Sequence, residues 1–148
     1  MHNLSDFVAE AHRNGYATIQ PDVGDEQQGK VITYDHGEWK YRDHYYGSEA
    51  FVGSEIVIFD GRPIWGMSYY GDLTSKNVDR TTVYSFLRDA LKQATSDRPY
   101  RGPPTFESDK LTYCSSVTGD IHRFEGTEQI RDEVSTIYRG TFAGGRVG

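Results

Sequence analysis

Two carboxylates set in aromatic stretches are the residues of this sequence best suited to chemistry. Asp43 lies in Tyr41-Arg42-Asp43-His44-Tyr45-Tyr46, and Glu55 follows Phe51-Val52-Gly53-Ser54. Two carboxyl groups held in one cleft can give and take a proton, or bind a cation. Each can equally bind backbone amides or an arginine at the end of a sheet. The rings of Trp39, Tyr41, Tyr45, Trp65, Tyr69 and Tyr70 offer faces on which a flat ligand can stack, and the same rings can fill a core. Arg101, in Arg101-Gly102-Pro103-Pro104, can hold an anion or pin its loop to a carboxylate. The candidate ligand-binding residues are therefore Tyr41, Arg42, Asp43, Tyr45, Glu55, Trp65, Tyr69, Tyr70 and Arg101. No residue is assigned a catalytic role.

Other chemistries find less support. His12, His36, His44 and His122 have no metal-ligand spacing, and no phosphate-binding glycine pattern occurs, so neither a metal nor a cofactor is expected. Cys114 is the one cysteine, which excludes an internal disulfide and points to a reducing compartment, read as the cytoplasm. A net charge of −6 argues against a nucleic-acid surface, although Lys40, Arg42 and His44 form one local basic stripe. The N-terminus has no apolar signal core, and no window reaches the roughly 18 apolar residues of a membrane helix.

Helices and strands must position these groups. Leu4, Phe7, Val8 and Ala11 recur at helical spacing, with Asn3 or Ser5 as cap and Gly15 as stop. Val83, Phe86, Leu87, Ala90, Leu91 and Ala94 make a second apolar stripe, capped by Asp79 or Thr81, with Pro99 beyond its end. Tyr16 to Gln20 reads as a short strand, and Pro21 to Gly29 as a polar loop. Three hairpins follow from turn chemistry, at His36-Gly37, Asp60-Gly61 and Gly119-Asp120, and a last strand is expected from Val134 to Phe142. The expectation is a single α+β domain over 1–148, with two helices on one face of a curved antiparallel sheet of about seven to eight strands.

Hairpin register then sorts the candidates by face. With Asp60-Gly61 as a two-residue loop, Ile56 faces Trp65 and Glu55 faces Gly66. Ile56, Ile58, Trp65, Met67 and Tyr69 would share the core face, and Glu55, Val57, Ile64, Gly66, Ser68 and Tyr70 the other. With His36-Gly37 as a loop, Tyr34 faces Trp39 and Ile32 faces Tyr41. Asp43 then lies on an aromatic stripe, where it must be hydrogen-bonded by tyrosines, paired with Lys30, or raised in pKa. This register tends to set Asp43 and Glu55 on opposite faces.

The two halves of the chain look alike. Phe51-Val52-Gly53-Ser54-Glu55-Ile56 resembles Phe124-Glu125-Gly126-Thr127-Glu128-Gln129-Ile130 with one inserted residue, and Ile64-Trp65 before Tyr69-Tyr70-Gly71 resembles Ile137-Tyr138 before Phe142-Ala143-Gly144. Internal duplication and ordinary reuse of Phe, Gly and Tyr in sheets are the two readings. A duplication would place a shared cleft at a pseudo-two-fold axis.

Taken in order, Tyr41-Arg42-Asp43-His44-Tyr45-Tyr46-Gly47, Phe51-x-Gly53-x-Glu55, Trp65-Gly66-Met67-Ser68-Tyr69-Tyr70-Gly71, Arg101-Gly102-Pro103 and Phe124-x-Gly126 carry a resemblance. The chain resembles an uncharacterised prokaryotic domain family of unknown function, found alone or C-terminal to helix-turn-helix transcriptional regulators. Where that family would show an aromatic-His-Gly-Gly pattern, this chain has Phe142-Ala143-Gly144-Gly145. The resemblance carries no activity. It implies a domain able to act beside a DNA-binding module, here in its stand-alone form. The favoured expectation is a non-enzymatic regulatory module that binds a small molecule or partner in an aromatic, acidic cleft. The alternatives are a small enzyme using carboxylates and tyrosines in acid–base chemistry, and a homo-oligomeric or protein-interaction domain.

Overall fold

The computed structural model describes residues 3–17 and 29–148. Helix α1 (Leu4–Ala17) begins with a reciprocal cap: the Asn3 side chain accepts the Asp6 amide at 2.9 Å, and the Asp6 carboxylate faces the Asn3 amide at 3.5 Å. Gly15 does not stop the helix. A Cβ at Gly15 would stand 3.1 Å from Ile32, so the glycine lets α1 lie close to the sheet. Residues 16 and 17 are thus helical rather than extended, and the rest of the expected strand and the loop at 21–28 lie outside the described residues. Helix α2 (Arg80–Leu91) starts after Asp79, whose carboxylate accepts the Thr82 hydroxyl at 2.5 Å, and buries Val83, Phe86, Leu87, Ala90 and Leu91.

The strands are β1 (Lys30–His36), β2 (Trp39–Tyr46), β3 (Phe51–Phe59), β4 (Arg62–Leu73), β5 (Thr105–Ser108), β6 (Leu111–Asp120), β7 (Arg123–Arg131) and β8 (Thr136–Arg146). They form one open antiparallel sheet in the order β1-β2-β3-β4-β8-β7-β6-β5, with both helices on one face, so the fold is α+β as expected. Tyr34 and His36 of β1 both reach Glu10 of α1, the tyrosine hydroxyl donating at 2.9 Å. Arg13 of α1 donates to the Ala94 carbonyl at 2.9 Å, which ties α1 to the end of α2.

Turn chemistry located the hairpins better than it located their registers. Asp60-Gly61 is the second turn, with φ of 50° and 76°, as its type I′ sequence demands. The first turn is Gly37-Glu38 rather than His36-Gly37, because Gly37 takes the positive φ of 61°. Tyr34 therefore faces Tyr41, a slip of two residues that leaves every face unchanged. The third turn is Ile121-His122 rather than Gly119-Asp120, and the Asp120 carboxylate accepts the His122 amide at 2.9 Å. The last strand begins at Thr136, two residues later than expected, and runs four residues past Phe142 to Arg146, where its end still pairs with both β4 and β7.

A larger correction lies at Ile64. Phe59 pairs with Arg62 and Ile58 with Pro63, but Val57 pairs with Trp65. Ile64 is the extra residue of a β-bulge, next to a proline that has no amide for the ladder. Its carbonyl is taken by the Val147 amide at 3.0 Å. Beyond the bulge every residue of β3 changes sides. Glu55 and Val57 lie with Trp65, Met67 and Tyr69 under the helices, while Ile56 points outward across from Gly66. The expected grouping of Ile56 with the core, and of Glu55 with Gly66 and Tyr70, is overturned.

The likeness of the halves extends to pairing. Phe51 faces Gly71 and Gly53 faces Tyr69, while Phe124 faces Gly144 and Gly126 faces Phe142. Glu55 faces Met67, and Glu128 faces Gly140. No inserted residue is needed, since Val57 opposite Trp65 matches Ile130 opposite Tyr138. The Phe-x-Gly-x-Glu pattern gains a physical meaning here. Each glycine clears space for the ring facing it: a Cβ at Gly53 would stand 2.5 Å from the Tyr69 ring, and one at Gly126 the same distance from Phe142.

Candidate functional site

Helix α2 does not close completely onto the sheet. Thr81, Tyr84, Leu87, Arg88 and Leu91 form one wall of a cleft of about 150 Å³. Ile32, Asp43, Tyr45, Phe51 and Tyr69 form its floor, Gly47 and Ser48 lie at the turn after β2, and Lys30, Arg80 and Arg101 complete the lining. The Tyr84 hydroxyl donates to the Glu49 carbonyl, which pins α2 to the turn between β2 and β3. Phe51 meets Tyr84 edge-on with ring centres 5.6 Å apart.

Asp43 is the acid of this cleft, and it is only 1% exposed. The Tyr69 hydroxyl donates to one carboxyl oxygen at 2.5 Å, and the Tyr41 hydroxyl approaches the other at 3.4 Å. Burial, and then the charge of Glu55, push the Asp43 carboxyl well above the usual aspartate range. The two tyrosine hydroxyls and the charge of Arg101 oppose that rise without cancelling it. The tyrosine partners expected from the aromatic stripe are thus present. Burial also raises the phenol of Tyr45 beside the cleft.

Glu55 faces Asp43 directly across β2 and β3, so the two carboxylates share one face of the sheet. The bulge at Ile64 is what brings Glu55 there. It is fully buried and shares a 2.6 Å hydrogen bond with His12 Nε2 of α1, itself fully buried. The His12 ring meets Tyr41 edge-on at 5.7 Å. Glu55 therefore stands behind the cleft floor and does not line the cleft.

Arg101 joins this half to the other. Its guanidinium lies 4.9 Å from the centre of the Tyr69 ring. It also makes a two-pronged pair with Glu128, with nitrogen–oxygen distances of 3.1 and 2.7 Å. Tyr113 and Tyr138 donate their hydroxyls to the same carboxylate at 2.8 and 2.7 Å. Burial alone would raise Glu128, but the Arg101 charge and these donors outweigh it and hold the carboxyl below its ordinary value. Burial, reinforced by the charge of Glu128, lifts the phenols of Tyr113 and Tyr138 well above theirs. Of the two roles open to Arg101, pinning its loop to a carboxylate is the one found.

Four of the nine candidates line the cleft: Asp43, Tyr45, Tyr69 and Arg101. Tyr41 and Glu55 lie beneath it. Trp65 is fully buried core, stacked on Phe124 at 5.8 Å, with its indole N–H donated to the Ile121 carbonyl. Arg42 points to the opposite face and pairs with Asp35 at 2.6 Å. Tyr70 also lies on that outer face, 49% exposed, in a row with Val52 and Tyr46. Sequence reasoning did not reach His12, Glu128, Tyr113 and Tyr138, or the cleft residues Arg80, Tyr84 and Arg88. The Phe-x-Gly-x-Glu repeat was the signal for Glu128. Among the described residues no three His, Cys, Asp or Glu gather as metal ligands, and no helix is long and apolar enough to cross a membrane.

An open eight-stranded antiparallel sheet under two helices, with a cleft beneath α2 that holds a buried acid, defines the architecture of the described residues. The chain belongs to the family described as Domain of unknown function (DUF5680), which matches residues 43–147. That span takes in Asp43, Glu55, Tyr69, Arg101 and Glu128, and leaves α1 and β1 outside it. No curated protein and no solved structure matches the chain.

Proposed function

We propose that this chain is a non-enzymatic module that binds a small molecule in the cleft between α2 and the sheet. The observation that carries the reading is the cleft itself: apolar and aromatic walls converge on a polar floor made by the Asp43 carboxyl and the Tyr69 hydroxyl. Small-molecule sites are concave, largely apolar and oriented by a few such groups. A regulatory role, in which ligand occupancy is reported to a DNA-binding module, is supported by the resemblance to domains that accompany helix-turn-helix regulators. The test is a melting-temperature screen against a broad library of small metabolites. A binder should raise the melting temperature of the native chain, and Asp43→Asn and Tyr69→Phe should remove the rise. A library that produces no shift, or shifts untouched by both variants, would sink the reading.

One observation favours an enzyme instead. A buried carboxyl held toward its protonated form can donate a proton to a bound group. In that case a compound bound by the native chain is converted, and Asp43→Asn still binds it but leaves it unchanged. Recovery of the bound compound intact after long incubation with the native chain argues for the binding module.

A further inference from the structure

We infer that the cleft takes a small organic anion, a carboxylate carried on an aromatic or branched apolar body. The inference rests on the cleft being a ligand site. What points to an anion is the imbalance of charge around it. Lys30, Arg80 and Arg88 all line the cleft, and among the described residues none of them makes an ion pair or a side-chain hydrogen bond. Arg101, the fourth cation, is engaged with Glu128. The one carboxyl among the described lining residues is Asp43. Burial and the neighbouring Glu55 disfavour its charged form, so it offsets the cations poorly. All this occurs in a chain whose net charge is −6.

Two of these cations line the cleft together with Tyr45. Lys30 Nζ lies 6.0 Å from the centre of the Tyr45 ring, and the charge of Arg88 acts on the phenol of the same tyrosine. A carboxylate beside Tyr45 would meet both, with hydrogen bonds strengthened by charge. The rest of the ligand would lie on Phe51, Tyr84, Leu87 and Leu91, whose apolar surfaces suit a hydrocarbon body better than a heavily hydrated anion. Asp43, when protonated, can donate to a carbonyl or hydroxyl on that body without repelling the anion.

Titration calorimetry tests this with three acids, phenylacetate, hydrocinnamate and isovalerate, each compared with its own primary amide. For the native chain the acids should bind at least about tenfold more tightly than the amides, the order expected of a charge-assisted pair in a partly dry site. In Lys30→Met/Arg88→Met the preference should vanish while amide binding persists, which also shows that the variant is folded. If acids and amides bind alike, or if phenethylamine binds best, the anion inference falls while the cleft survives as a ligand site. If none of the seven compounds binds, the anion inference falls, and the metabolite screen decides the fate of the binding module separately.

Discussion

Tyr69 lies directly across from Gly53, and its ring covers the space that a side chain at Gly53 would fill. A Cβ there would also stand 2.6 Å from Cβ of Tyr45. Two residues of the cleft floor are therefore seated on one glycine. Gly53→Ala should cost about 1–3 kcal/mol, the range for overpacking a closed site. It should also weaken ligand binding, because the Tyr69 hydroxyl would leave Asp43. At Gly66 the nearest atoms are the mobile end of Ile56 at 3.1 Å and the Glu55 carbonyl at 3.2 Å. Gly66→Ala should cost less. Urea unfolding of the two variants gives the comparison, and an equal or reversed order would show that Tyr69 can move freely.

Arg101 and Glu128 are a buried pair with every carboxylate bond in place. Removing one partner leaves a buried charge with no counter-charge, so Arg101→Met should destabilise by about 3–5 kcal/mol. Arg101→Lys should recover only part of this, since an ammonium cannot make the two-pronged contact or stack on Tyr69 in the same way. Chemical denaturation of the three proteins measures both differences.

Stability should respond to pH in opposite directions at the two acids. The folded-state pKa of Asp43 is raised, so its stabilising contribution is full below the ordinary value of about 3.9 and is lost as pH rises through the elevated one. Glu128 is lowered when folded, so its contribution is present above about 4.3 and is lost as pH falls through the depressed value. Asp43→Asn keeps an acceptor for Tyr69 and cannot ionise. As pH rises above about 3.9, the native chain should lose stability relative to Asp43→Asn. Parallel stability curves for the two proteins would mean that Asp43 does not titrate there.

Tyr70 and Tyr69 are neighbours in sequence and opposites in space. Tyr70→Ala, on the outer face, should leave any ligand-induced rise in melting temperature intact. Tyr69→Phe, on the floor, should abolish it. The pair of thermal scans separates the face chosen from the sequence from the face that the bulge puts under α2.

The parts of the fold legible in the sequence are those governed by neighbours along the chain. The apolar stripe from Val83 to Leu91 marks α2, and Asp60-Gly61 marks its turn because only certain residues accept positive φ there. Asp43 was legible as a strained acid, since the alternation Trp39, Tyr41, Asp43, Tyr45 holds whether the first turn slips by two residues or not. The side taken by Glu55 was not legible. It depends on whether Ile64 is counted into the ladder, and that is decided by burying Val57 and Trp65 together. The contact of Glu55 with His12 joins residues far apart in the chain, and no local pattern links them. Arg101 was legible as a cation in need of a carboxylate, but which carboxylate was settled only by the packing of β7 and β8 against its loop.

The strand order reads the same from either edge, with β4 and β8 at the centre, yet the equivalent positions have not kept equivalent work. Where Asp43 stands beside Glu55, Ser115 stands beside Glu128. One half has a hydroxyl where the other has a second acid, and pairs its carboxylate with an arginine; the other holds two acids and the tension between them. Such a frame assigns two demands to different halves: one anchors the fold through Arg101 and Glu128, and the other, on the binding reading proposed above, accommodates the ligand. Substitutions around Glu128 should then be judged mainly by whether the protein folds, and those around Asp43 by what it holds.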